Sequence, residues 1–260
     1  MEVVILRDEA AIASLAADAV ESLLRRRPDA VLGLATGSSP LGVYRELATR
    51  CAAGGVSFAR ARGFLLDEYV GLPADHPQAY RSVIRRDFVD RVDLPDGAVA
   101  GPDGTAADVV AACSAYEELV RGAGRVDLQL LGIGTDGHVG FNEPGSSLTS
   151  RTRIKTLTDQ TRRDNARFFG SVGEVPRHVL TQGLGTISEA RHLVLLATGE
   201  RKADAVRAMV EGAVSAFCPA SVLQLHPHAT VLLDEPAASR LELAGYYRET
   251  YVHKPPWQPL

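Results

Sequence analysis

Short apolar runs alternate with longer amphipathic stretches along most of this chain, and that alternation leaves few architectures open. Residues 3–6 read as a strand. Residues 8–26 then place Ile12, Leu15, Ala16, Ala19 and Leu23 at helical spacing, with Pro28 just beyond the end. Residues 30–35 read as a buried strand, 40–50 as a helix with proline at its start, and 64–66 as a strand. A helix over 105–121, strands over 126–131, 192–197 and 230–233, and a helix over 201–211 complete the pattern. Strands separated by helices need crossover connections, so the pattern predicts an α/β fold: a mostly parallel sheet with helices on both faces. No repeat, low-complexity stretch or interdomain linker interrupts it, and residues 1–260 are expected to form a single α/β domain. The proline-rich segment from Lys254 to Leu260 reads as an irregular tail.

The formal net charge of −4 argues against a nucleic-acid or membrane-surface partner, which would favour a basic excess. The residues after Met1 show neither a basic region nor a long apolar run, so no signal peptide is expected, and no stretch is apolar enough to span a membrane. Cys51, Cys113 and Cys218 are odd in number and far apart, with no Cys-x-x-Cys pair. Three free thiols in a reducing cytoplasm are the expectation.

Ligands of parallel α/β sheets sit outside the carboxyl ends of the strands. Five strand ends carry polar sequence here: Thr36-Gly37-Ser38-Ser39, Asp67-Glu68-Tyr69, Gly134-Thr135-Asp136-Gly137-His138, Thr198-Gly199-Glu200-Arg201-Lys202 and Asp234-Glu235-Pro236. The first four are expected to converge on one pocket. One pattern misleads: Gly132-Ile133-Gly134-Thr135-Asp136-Gly137 matches G-x-G-x-x-G and follows a strand. A dinucleotide fingerprint needs a helix to open at that loop, and His138-Val139-Gly140-Phe141-Asn142-Glu143-Pro144 is a poor helix start.

Thr36, Gly37, Ser38 and Ser39 join a strand to a helix, where glycine permits close approach and free N–H groups and hydroxyls can hold an anion. The plainer alternative is a capped turn. Residues 198–202 repeat the strand–glycine–helix design and add Arg201 and Lys202, which together suit a phosphate monoester. No Walker sequence is present, so a nucleoside triphosphate is not expected. Asp67 and Glu68 end a strand with opposite facings, so one is expected in the pocket and the other on a structural cation. Asp136, His138 and Glu143 share one loop and make a plausible proton shuttle. No further His or Cys ligands accompany them, so no metal is expected, and His226-Pro227-His228 reads as turn chemistry. Proton-transfer groups with a phosphate anchor and no nucleophilic Ser or Cys motif point to acid–base chemistry on a small phosphorylated metabolite.

Longer strings narrow this. Residues 66–72 (LDEYVGL), 132–144 (GIGTDGHVGFNEP), 150–157 (SRTRIKTL) and 223–228 (LQLHPH) strongly resemble glucosamine-6-phosphate deaminases. The resemblance runs from about Leu32 to Pro236. It implies a modified Rossmann-like α/β fold and conversion of glucosamine 6-phosphate and water to fructose 6-phosphate and ammonia in amino-sugar catabolism, with no cofactor. It also implies roles. Asp67 would take the C2 proton of the open-chain sugar. Asp136, His138 and Glu143 would relay the proton that opens the ring. Thr36, Gly37, Ser38, Ser39, Arg167 and Lys202 would hold the phosphate. Some members of the family are hexamers activated by N-acetylglucosamine 6-phosphate, so the resemblance leaves a homo-oligomer open; the matching regulatory positions are Ser146, Arg153 and Lys155. The plainer reading of Arg153 and Lys155 is a solvated basic face. Two rivals share the fold. A 6-phosphogluconolactonase needs no base at C2, and a sugar-phosphate sensor would be joined to a DNA-reading domain, for which a first strand at Val3 is expected to leave no room upstream.

Overall fold

The Asp8 carboxylate accepts the Ala11 N–H and starts the first helix, while Arg25 and Arg26 fall in its last turn, where the helix dipole favours cations. The computed structural model describes residues 1–255, 257–258 and 260; Pro256 and Pro259 of the expected tail lie outside the described residues. In chain order the elements are β1 (Glu2–Leu6), α1 (Glu9–Arg26), β2 (Val31–Leu34), α2 (Leu41–Ala52), β3 (Arg62–Leu65), β4 (Asp67–Tyr69), α3 (Tyr80–Asp87), β5 (Val99–Ala100), α4 (Val109–Gly122) and β6 (Leu128–Gly132). Then come β7 (Arg153–Thr156), α5 (Asp159–Asn165), β8 (His178–Thr181), α6 (Leu184–Ile187), β9 (Leu193–Ala197), α7 (Ala203–Val210), β10 (Ala229–Asp234), α8 (Glu235–Ala238) and α9 (Ala244–Val252).

Seven strands form one sheet in the order β1-β10-β9-β6-β2-β3-β5, and every pairing in it is parallel. Its two faces can be read along single strands. In β9, Leu193, Leu195 and Ala197 enter one apolar cluster with Tyr116 and Val120 of α4 and Val206 and Met209 of α7. Val194 and Leu196 enter the other, with Ile12, Ala16 and Val20 of α1 and Val43 and Leu47 of α2. A strand buried on both faces has no polar side to alternate with, which is why these strands read as unbroken apolar runs. Each fully buried Val, Leu or Ile contributes about 1.5–3 kcal/mol.

From β2 the chain grows outward through β3 to β5, then returns to the other flank of β2 with β6. That reversal opens a crevice at the carboxyl ends of β2 and β6, where the residues 36–39 and 133–138 emerge.

The expected strand over 64–66 is two strands. Leu66 bonds both ways: its N–H donates to Leu34 O of the large sheet, and its carbonyl accepts from Gln182 N. Beyond it β4 joins a three-stranded antiparallel sheet, β4-β8-β7, with Asp67 opposite Thr181 and Arg153 opposite Thr181 on the far side. The apolar pattern of the sequence does not mark this small sheet. The expected helix over 105–121 starts later, at Val109, because the Asp108 carboxylate accepts the Val110 and Ala111 N–H groups. The helix expected over 201–211 opens as a 3-10 turn over Glu200–Lys202 before α7.

Candidate active site

A cavity of about 1030 Å³ lies at these strand ends. Thr36, Gly37, Ser38 and Ser39 line it, and so do Asp67, His138, Arg167 and Lys202. The turn after β2 is not a simple cap: α2 has Pro40 at its N-cap and no side-chain capping bond, so its hydroxyls do not close the helix. Gly37 takes φ +92°, a conformation other residues resist. Across from it, Gly132 faces Ser39: a Cβ there would sit 3.5 Å from Ser39 Oγ, in ordinary contact.

The second turn behaves differently from expectation. The Gly199 N–H donates to both carboxylate oxygens of Asp234, at 3.0 Å each, so it is not free for an anion. The turn contributes cations instead. Lys202 Nζ donates to the Ile133 carbonyl at 2.7 Å, inside the crevice. Burial, then the neighbouring Arg201, holds the Lys202 pKa below its ordinary value. Arg163, Arg167 and Arg201 also line the cavity, giving it a cationic wall in a chain whose net charge is negative.

Asp67 and Glu68 separate as their strand facing requires; among the described residues Glu68 makes no direct ion pair, although the Arg81 charge favours its ionised form. Its carboxylate accepts the backbone N–H groups of Tyr69, Tyr80 and Arg81, at 2.9, 2.8 and 3.0 Å, and so anchors the start of α3. Asp67 is 5% exposed and faces the cavity. Burial, then the charge of Glu68, pushes its pKa well above the usual carboxylate range. Gly140, at φ +57°, passes close by: a Cβ there would fall 3.0 Å from Thr181 Oγ1 and 3.6 Å from Asp67 Oδ2.

The loop after β6 brings Asp136, His138 and Glu143 together. Asp136 Oδ1 lies 2.7 Å from His138 Nδ1, off the line of the ring N–H, and accepts the His138 backbone N–H at 3.1 Å. Glu143 Oε2 is 3.7 Å from the same ring nitrogen. An oxygen of each carboxyl and a ring nitrogen lie within 4.8 Å of one another. Asp136 is held well below the usual range, against its partial burial, by bonds to His138 and Glu143. Glu143 is raised, by burial first and Asp136 next. One acid in the pair is thus kept ionised while the other holds a proton readily. The three groups are also near enough to one another to hold a cation.

Two of the three glycines of the dinucleotide-like pattern have separate local reasons. Gly134 leaves room for the His138 ring, and Gly137, at φ +86°, lies against Cys218 Sγ. The pattern is the imprint of a tight loop under an imidazole.

The suggested regulatory residues Ser146, Arg153 and Lys155 do not line the cavity. Ser146 is buried, with its Oγ unpartnered, and its N–H donates to Glu143 O. Arg153 and Lys155 are half-buried on β7 rather than on a solvated face, and burial lowers the pKa of both. His226 accepts the His228 N–H, which is turn chemistry, while its Nε2 reaches the Ala190 carbonyl at 2.8 Å and ties this turn to the end of the segment before β9. Sequence reasoning missed the segment around α5. Thr161 donates to Glu143 Oε1 at 2.6 Å, and Asn165 donates to the Tyr69 hydroxyl at 3.1 Å. Tyr80 donates to that hydroxyl too. The capping run Thr158-Asp159-Gln160-Thr161 was the available signal.

The fold and this crevice define an α/β enzyme of sugar phosphates, and the chain belongs to the family of glucosamine-6-phosphate isomerases/6-phosphogluconolactonase, whose model matches residues 8–232. Among named relatives, the glucosamine-6-phosphate deaminase of Mycolicibacterium smegmatis is 68% identical over 259 residues, 99% of each chain. That of Arthrobacter sp. (strain FB24) is 67% identical over 260 residues, the whole of both chains. A solved monomeric glucosamine-6-phosphate deaminase superposes with a TM-score of 0.90 at 43% identity, covering 92% of this chain and all of its own. The 6-phosphogluconolactonase of Trypanosoma cruzi, at 21% identity and a TM-score of 0.75, covers 93% of this chain and 97% of its own and shares the fold.

Proposed function

We propose that this chain is a glucosamine-6-phosphate deaminase, converting D-glucosamine 6-phosphate and water to D-fructose 6-phosphate and ammonia in amino-sugar catabolism. The observation that carries the reading is that Asp67 and His138 line the same cavity as the Thr36 turn and Lys202. Full-length identity of 67–68% to deaminases supports it.

The phosphate sits against Thr36, Gly37, Ser38 and Ser39, with Arg167 and Lys202 matching its charge. Remote binding then orients the sugar, turning binding energy into alignment at the reacting carbons. His138 moves the proton that opens the ring, with Asp136 stabilising the charged imidazole and Glu143 exchanging the proton. Asp67 removes the C2 proton, which a buried carboxyl of raised pKa suits: it is a stronger base than an exposed one. The electrons pass to C1–C2 as an enolamine, reprotonation at C1 gives an imine at C2, and water displaces ammonia there.

The whole chain acts as one domain, with β10 returning to pair with β1. Ser146, Arg153 and Lys155 form a regulatory anion site, supported by the unpartnered Ser146 hydroxyl and the two cations of β7. Three free cysteines support a cytoplasmic setting; among the described residues, no helix is long and apolar enough to cross a membrane. Incubation with glucosamine 6-phosphate, followed for ammonia and ketose, tests the assignment. Hydrolysis of 6-phosphogluconolactone without ammonia release from the amino sugar would instead favour the lactonase reading.

A further inference from the structure

Among the described residues, the Glu143 side chain has one hydrogen-bond partner from outside its own loop, and it comes from α5. Thr161 Oγ1 lies 2.6 Å from Glu143 Oε1, and both residues are buried. Thr158 Oγ1 lies 2.9 Å from Thr161 Oγ1 and accepts the Thr161 N–H at 3.1 Å. A threonine hydroxyl has one proton to give. The run is strongest when it points towards the carboxylate, since a bond ending on a charge is about twice as strong as a neutral one. Thr158 O–H therefore donates to Thr161, and Thr161 O–H donates to Glu143 Oε1.

That direction distinguishes the two oxygens of one carboxyl. Oε1 is occupied as an acceptor. Oε2 is the oxygen 3.7 Å from His138 Nδ1. We infer that Thr161 is a positioning residue that holds Glu143 Oε1 as a standing acceptor and so directs the mobile proton of that carboxyl to Oε2, facing His138. The inference rests on the deaminase reading above, in which Glu143 and His138 exchange the proton of ring opening.

The same short segment ties this relay to the rest of the site. Asn165, at the end of α5, bonds the Tyr69 hydroxyl, and Arg167 stands just beyond in the cavity wall. Arg162 is buried and fixes the segment by donating to the Val172 and Val175 carbonyls. Seating of α5 therefore sets the proton position on Glu143 while it sets the cation that meets phosphate.

The test compares wild type, Thr161→Val and Thr161→Ser in the full chain, by ammonia release across pH with glucosamine 6-phosphate. The groups facing Glu143 are Asp136 and His138 on its own loop, Lys155 on β7 and Thr161 on α5. Removing the Thr161 donor takes away a bond that lowers the Glu143 pKa. The expected result for Thr161→Val is a fall in kcat of about tenfold or more, KM changed less, and the acidic limb of the kcat profile moved to higher pH. Thr161→Ser, which keeps the hydroxyl, restores both. If Thr161→Val does not fold, Thr161→Ala is read the same way against Ser. An active wild type with Thr161→Val unchanged in kcat and profile overturns this inference alone. So does a Ser variant that falls as far as Val. Wild type that releases no ammonia overturns the deaminase reading and this inference with it.

Discussion

The imidazole of His138 lies against Gly134, so closely that a Cβ on residue 134 would fall 2.3 Å from Nδ1 and Cε1 of the ring. Gly134 therefore sets the height of the imidazole above the loop. Gly134→Ala should leave the fold intact, since only a loop must shift, and should displace His138 from Asp136 and Glu143. Misplacement of a reacting group by about 1 Å costs roughly a hundredfold in rate. Circular dichroism should be unchanged while kcat falls by about that factor; a variant with wild-type kcat would show that the ring has other room.

Glu68 anchors α3 through three backbone N–H groups and leaves the pocket to Asp67. Glu68→Ala should therefore act on stability, at about 1–3 kcal/mol from three orphaned donors. Urea denaturation measures it. The variant should also lower the Asp67 pKa, because the Glu68 charge is one of the two causes that raise it.

The large sheet is legible in the sequence because strands such as β9 and β10 are buried on both faces and carry uninterrupted apolar runs. The small sheet is not: β7 reads Arg-Ile-Lys-Thr, half exposed, and its partners are distant in sequence. Asp67, Asp136, His138 and Glu143 can be singled out because acids and an imidazole at strand ends are chemically unusual. Thr161 cannot, because a threonine in a short helix looks like a cap until Glu143 is placed beside it. The partners of Glu68 differ from the expected cation for a related reason: a strand pattern gives the facing of an acid but not what waits there.

His192 and His228 stack at 3.7 Å at the start of β9 and β10, the edge opposite the crevice. Burial, then His228 and His226, pushes the His192 pKa down to about 3. An unfolded histidine titrates near roughly 6.5, so above that pH neither state is protonated and no penalty exists. As pH falls from about 6.5 towards 3, the unfolded state binds a proton that the folded state refuses, and stability drops. At about pH 5 the loss from this residue is about 2 kcal/mol, because each pH step below the unfolded pKa costs about 1.36 kcal/mol. Denaturant midpoints compared at about pH 7.5 and about pH 5 should show this slope in wild type and a shallower one in His192→Gln; equal slopes would place the acid sensitivity elsewhere.

Asp67 as the base at C2 is the claim on which the account stands. The direct measurement is ammonia release from glucosamine 6-phosphate by wild type and Asp67→Asn. Asparagine keeps the shape of the side chain and removes its basicity, so kcat should fall by about 10²–10⁴ while KM, set mainly at the phosphate end, changes little. An Asp67→Asn enzyme that deaminates within a few-fold of wild type would contradict the account.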